Sequence, residues 1–132
     1  IRDWIHVQDH VDALIAISES SKSISGEIYN IGSENEITNL ELVKKICKIC
    51  DKDIPSKKGS YEDLISFVDD RPGHDYRYAL DNKKITNELD WYPKIIFDDG
   101  LRNTIRWYIE NYSSSNFKDV YDGRRIGLGK ET

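Results

Sequence analysis

The densest group of side chains able to do chemistry is the run Asp69-Asp70-Arg71-Pro72-Gly73-His74-Asp75. A Pro-Gly step forces a turn, which keeps Arg71 and His74 close together on one loop. A guanidinium fork matches the oxygens of a phosphate or diphosphate, and turn amides add further donors. Each desolvated charge-assisted hydrogen bond contributes roughly 1.5–3 kcal/mol, so one Arg and one His can supply much of a micromolar affinity. The alternative is a solvated turn whose Arg71 pairs only with Asp69, Asp70 or Asp75, and on composition that is the commoner outcome. Arg2-Asp3-Trp4 is a second candidate, an Arg beside an aromatic that could frame an anion; alone it is weak, since terminal charges are usually just exposed. Asn39 falls in the first turn of a capped helix, where its amide and the free N–H groups could receive a phosphate, or where it merely assists the cap.

Cys47-Lys48-Ile49-Cys50, with His6 and His10 one helical turn apart, invites a zinc reading, because structural zinc accepts two Cys and two His. The result would be a zinc-stapled interaction domain. Against it, both cysteines lie inside an expected helix, beyond the N-terminal turn that stabilises thiolates, and Cys47 completes an apolar face. Ordinary packing is the simpler account. The eight glycines, at positions 26, 32, 59, 73, 100, 123, 127 and 129, form neither GxGxxG nor GxxGxxG, so there is no dinucleotide or P-loop cradle. None of the eight tyrosines has a Lys four residues later, and neither GxSxG nor HExxH occurs. The residues describe a ligand-binding lobe without an evident reaction centre.

The elements that must position these groups follow from periodicity and caps. Residues 1–7 mix β-branched and aromatic types and read as a strand or extended entry. Val7, Val11, Leu14 and Ile15 recur at helical spacing over about residues 8–18, with Asp9 in the first turn. Ile28 and Ile31, between Gly26 and Gly32, suggest a short buried strand. Thr38-Asn39-Leu40-Glu41 fits a capping box, with Leu42, Ile46 and Ile49 following on one face and Leu40, Val43 and Cys47 adjoining. Residues 65–68 read as a strand entering the Pro-Gly turn, and residues 76–80 as an extended stretch. Asp81 is expected to cap a short helix through Ile85 and Leu89, ended by Pro93. Asp98 or Asp99 is expected to cap a last helix bearing Leu101, Ile105, Tyr108, Ile109 and Tyr112. The fold class expected is α/β, in the form of a small α+β-like lobe over residues 1–112, with residues 113–132 as a tail that is mobile or docked by its aromatics alone.

Composition agrees with one globular domain: 132 residues, 38% hydrophobic and 33% charged. With 24 acidic and 19 basic side chains the net charge is −5, which argues against a nucleic-acid binder, whose phosphate contacts need a dense basic face. The longest uncharged apolar run, residues 13–17, is too short for a membrane span or a signal-peptide core, and the expected location is the cytoplasm. The chain opens at Ile1 in a strand-like run and contains no Met, so it is expected to be a piece of something longer.

Taken together the motifs resemble the C-terminal part of the dTDP-glucose 4,6-dehydratase family, within the extended short-chain dehydrogenase/reductases. The resemblance rests on Arg2-Asp3-Trp4-Ile5-His6-Val7-Gln8-Asp9-His10, on Gly26-Glu27-Ile28-Tyr29-Asn30-Ile31-Gly32 with Asn35, Glu36 and Asn39, and on Asp70 to Asp75 leading into Arg77-Tyr78-Ala79-Leu80-Asp81. Pro93, Phe97, Gly100, Leu101, Thr104, Trp107 and Tyr108 continue it. It implies a lobe that closes over a nucleotide-sugar, dTDP-glucose or UDP-glucose, while an N-terminal Rossmann domain absent from this chain binds NAD and supplies the catalytic Tyr, Lys and acid. The reaction implied oxidises C4 of the glucose, eliminates water across C5 and C6, and returns the hydride to C6, giving the 4-keto-6-deoxy sugar. By the resemblance Arg2 and Arg71 hold the diphosphate, and Asn39 with Asp70, Arg71, Pro72, Gly73 and His74 contacts phosphate or nucleoside. UDP-glucose 4,6-dehydratases and nucleotide-sugar epimerases are the neighbouring alternatives; the Arg-Pro-Gly-His-Asp run favours a dehydratase. The implied enzyme is a homodimer through its other domain, so this chain alone is expected to be an inactive monomer. Tyr76 departs from a commonly basic position, and Asp90 from the Gly usual before Trp91.

Overall fold

The computed structural model describes residues 1–22 and 24–111; the expected tail and Tyr112 lie outside the described residues. A two-residue strand, β1 (Arg2–Asp3), pairs antiparallel with β2 (Glu36–Ile37), placing Arg2 opposite Ile37 and Asp3 opposite Glu36. So short a ladder needs help. Asp3 provides it by accepting from Ser33 N at 3.0 Å, Ser33 Oγ at 2.7 Å and Asn35 N at 3.0 Å, which wraps the approach to β2 around one carboxylate. Arg2 is thereby held opposite Ile37, two residues before Asn39.

Four helices surround this pair: α1 (Val7–Ser18), α2 (Asn39–Asp53), α3 (Lys83–Leu89) and α4 (Phe97–Asn111), with a 3-10 turn at Tyr61–Leu64. The local signals act as chemistry requires. His6 Nδ1 accepts from Gln8 N and starts α1. Thr38 Oγ1 accepts from Glu41 N at 3.1 Å while Thr38 N donates to the Glu41 carboxylate at 2.8 Å, the reciprocal box expected at α2. Ser60 and Asp63 form a second box that opens the 3-10 turn. The expected cap of α3 is shifted by one residue: Asn82 and not Asp81 takes the cap position, and Asp81, just outside the helix, accepts from Lys83 N at 2.9 Å. Asp90 ends α3 with φ 54°, the left-handed conformation that Gly adopts at lower cost. Asp98 and Asp99 do not cap α4 but sit within its first turn, where their charge still offsets the helix dipole.

Ala13, Ile85 and Trp91 form the buried centre, covered by Ile5, Ala16, Ile17, Tyr29, Ile31 and Leu89. On its other side α2 packs against α4 and the 3-10 turn, with Cys47 and Ile105 buried there. Two polar clamps join the parts. Asp9, 2% exposed, accepts from Lys94 N at 3.0 Å and Ile95 N at 3.1 Å, tying α1 to the entry of α4. Asn82 pairs both ways with Gly32, its amide nitrogen donating to Gly32 O and its amide oxygen accepting from Gly32 N, each at 2.7 Å. Because Gly32 is enclosed, a Cβ there would meet the Asp3 carboxylate and come to 3.0 Å of the Leu80 Cβ. Gly32→Ala is therefore expected to destabilise the fold by about 1–3 kcal/mol, read as a lower urea midpoint at unchanged m.

Three expectations are corrected. Residues 26–32 are not a strand, and Ile28 is 81% exposed, although Ile31 does reach the core. Residues 65–68 are likewise irregular, with Phe67 82% exposed. A strand exists only where a neighbouring strand pairs with it, and among the described residues no such ladder forms at either place. The α/β expectation accordingly holds in a coarser form, helices with a little antiparallel sheet. On α1 the helix is as expected but Val7, Val11, Leu14 and Ile15 face outward; Ala13, Ala16 and Ile17 pack inward. Among the described residues no helix is long and apolar enough to cross a membrane.

Candidate functional site

The Pro-Gly turn forms as its residues demand: Gly73 takes φ 70°, and His74 N donates to Arg71 O at 3.3 Å, closing the loop. Asp70 organises it from inside, accepting from Arg71 N at 2.8 Å and from His74 Nδ1 at 2.7 Å. The His74 hydrogen bond, followed by that from Arg71, holds the Asp70 carboxyl below the usual carboxylate range. On the far side of the imidazole, His74 Nε2 meets Arg2 Nη2 at 2.5 Å. A guanidinium can only donate, so Nε2 accepts and the ring proton sits on Nδ1, facing Asp70. Arg2 also donates from Nη2 to Asp75 O at 3.0 Å and from Nη1 to Ile1 O at 2.7 Å.

Backbone pairing brings these distant residues together. Ile1 N donates to Tyr76 O at 2.8 Å and Tyr78 N donates to Ile1 O at 3.0 Å, the slanted pattern of a parallel pair. One residue further on, Arg77 clamps Glu36 of β2 through Nε and Nη2 at 2.6 and 2.7 Å, so the turn, β1 and β2 are fastened side by side. Asn39, the first residue of α2, follows directly.

A cleft of about 710 Å³ opens between α2 and residues 61–70, and Asn39, Asp70 and His74 line its polar end. Its remaining walls are largely apolar, among them Val43, Leu64 and Phe67. Arg2 reaches this end through His74; Pro72 and Gly73 are exposed on the turn and do not line the cleft. The Arg71 guanidinium has no hydrogen-bond partner among the described residues and is exposed. The structure thus gathers Arg2, Asn39, Asp70 and His74, with Arg71 standing free beside them. Among the described residues no Arg or Lys lines the cleft itself, but Arg2 contacts the lining residue His74 and Arg71 lies on the same turn, an arrangement suited to a polyanion carrying an organic group. Missed by the sequence reading was Tyr78, whose ring lies under Arg2 with its centroid 4.9 Å from Cζ. The alternation of residues 76–80 marks an extended stretch but not its neighbour.

The four residues of the zinc reading do not assemble, and among the described residues no group of three or more His, Cys, Asp or Glu could hold a metal ion. His6 caps α1, whereas Cys47 and Cys50 lie on α2, and burial pushes both thiols up. They pack as free cysteines. A second cleft of about 660 Å³ beside Trp4, Leu42 and Phe97 is mainly apolar.

Known proteins are similar to this chain in sequence and in fold. The chain is 52% identical over 118 residues to a dTDP-glucose 4,6-dehydratase of Haemophilus influenzae, covering 87% of this chain and 34% of that protein. Against the dTDP-glucose 4,6-dehydratase of Neisseria meningitidis the identity is 44% over 137 residues, covering 98% of this chain and 38% of the relative. A crystal structure of dTDP-glucose 4,6-dehydratase from Bacillus anthracis in complex with NAD superposes with a TM-score of 0.67 at 41% identity, covering 83% of this chain and 31% of that one. The chain therefore spans about a third of the length of the relatives it matches. Residues 1–104 match the family model described as GDP-mannose 4,6 dehydratase, and it is to this family that the chain belongs.

Proposed function

We propose that this chain is the nucleotide-sugar-binding lobe of an NAD-dependent dTDP-glucose 4,6-dehydratase, as the relatives named so suggest. The observation that carries the reading is the contact of Arg2 with the Asp70-His74 turn across 72 residues of sequence, at the polar end of the cleft that begins at Asn39. In this reading Arg2 and Arg71 grip the diphosphate, the first from a fixed position and the second by closing onto it. Asn39 adds amide donors, and His74, oriented by Asp70, keeps Arg2 aligned. Pro72 and Gly73 set the curvature of the turn. The lobe's contribution is to bind and orient the substrate.

The glycine spacing matches neither GxGxxG nor GxxGxxG, so in this reading NAD is held by the cofactor domain of the enzyme and not by this chain. Redox chemistry at C4 belongs to the cofactor domain of such an enzyme. The reading carries with it a cytoplasmic location, a dimer formed through that other domain, and no turnover by this chain alone.

Titrating the isotopically labelled chain with dTDP tests it. Chemical-shift changes are expected at Arg2, Asn39, Arg71 and His74, and the same chain should leave dTDP-glucose unconverted in the presence of NAD. Shift changes confined to other residues, or dehydration of the sugar by the chain alone, would overturn the assignment.

A further inference from the structure

We propose that Tyr78 is a positioning residue that keeps the Arg2 guanidinium fixed and free of any carboxylate, ready for the diphosphate. This rests on the reading of Arg2 as a diphosphate ligand. Among the described residues every partner of Arg2 is neutral: the carbonyls of Ile1 and Asp75, the His74 imidazole nitrogen, and the face of the Tyr78 ring. Among the described residues no carboxylate pairs with it, although Asp75 is close enough to give its backbone carbonyl at 3.0 Å. The reason is that the Asp75 carboxylate is taken by the Tyr78 hydroxyl, which donates to it. That hydrogen bond also raises the phenol above its ordinary titration range, so the hydroxyl keeps its proton and remains a donor.

The ring is anchored at both ends, since Tyr78 N donates to Ile1 O while the hydroxyl holds Asp75. Tyr78 thus does two things at once. Its π face supports the cation without cancelling the charge, as a carboxylate would. Its hydroxyl diverts the Asp75 carboxylate, which would otherwise be free to form a quenching ion pair. An arginine ordered in advance and still fully charged loses less freedom on meeting an anion than a mobile one.

The experiment follows the Arg2 Nε–Hε resonance of the labelled chain during titration with dTDP, in the wild type and in three variants. Tyr78→Leu removes ring and hydroxyl; the Arg2 resonance should lose its ring-current shift, and dTDP affinity should fall by roughly 3- to 30-fold, the span of a cation–π contact. Tyr78→Phe keeps the ring but releases Asp75, so affinity should fall several-fold, and adding Asp75→Asn should restore it. A purely structural loss would not be rescued by removing a second partner. The amide resonances of α2 and α4 report that each variant is folded. If the wild-type Arg2 resonance ignores dTDP, the diphosphate reading fails and this proposal with it. Should the wild type respond and Tyr78→Leu respond at the same dTDP concentrations, only the role of Tyr78 is overturned.

Discussion

Arg71→Ala is expected to raise the KM for the nucleotide-sugar by roughly 10- to 100-fold in a dehydratase that carries this lobe, with NAD binding unchanged. The size follows from the loss of one charge-assisted contact of roughly 1.5–3 kcal/mol to a diphosphate. Arg71 is the cleanest of the candidates, because its guanidinium is exposed and unpartnered among the described residues, so its removal breaks no internal hydrogen bond. Its backbone N–H, which does hold Asp70, survives the substitution. Steady-state kinetics beside an NAD titration separate the outcomes. An unchanged KM would show that the free guanidinium is only a solvated surface charge; a parallel loss of NAD affinity would point to misfolding instead.

The largest loss of stability is expected from Asp9→Ala, about 3–5 kcal/mol. Asp9 is almost wholly buried and its two oxygens each accept a backbone N–H, from Lys94 and Ile95. Alanine leaves both part-buried donors without their acceptor, at the point where α1 fastens the entry of α4. Set against a typical total of roughly 5–15 kcal/mol, that loss removes much of the margin of a small domain. Asp9→Asn keeps one acceptor and should lose about half as much. Urea unfolding at constant pH measures both. A midpoint for Asp9→Ala within error of the wild type would mean that water replaces the carboxylate and that the clamp carries no stability.

Much of the candidate site is legible in the sequence, for reasons that differ by residue. The Asp70-to-His74 turn could be read because Pro and Gly specify their own backbone, and because the Asp70 to His74 hydrogen bond spans only four residues. Asn39 could be placed because the Thr38-Glu41 box fixes where α2 starts. Arg2 is different: by composition it was a terminal charge, and only the resemblance gave it a role. Its geometry depends on the pairing of Ile1 with Tyr76 and Tyr78, some 75 residues away, which no local pattern encodes. Tyr78 escaped notice for the same reason. The zinc grouping failed because spacing along the chain could not show that His6 is engaged in capping α1 while Cys47 is buried on α2, so that no three of the four residues converge.

By itself the sequence determined the helices, the capping box of α2, the Pro-Gly turn and the left-handed end of α3, since each depends on residues within about one helical turn of one another. Tertiary structure decided the rest. It chose which side of α1 is buried: the small residues Ala13 and Ala16 with Ile17 let α3 and Trp91 approach, while the larger Val7, Val11 and Leu14 remain outside. Residues 26–32 and 65–68 stayed irregular despite strand-like sequences, because a strand is a property of two segments and not of one. And it brought Arg2 to His74 while giving Asp75 to Tyr78, a choice between partners that depends on three-dimensional proximity and that a linear order of residues does not contain.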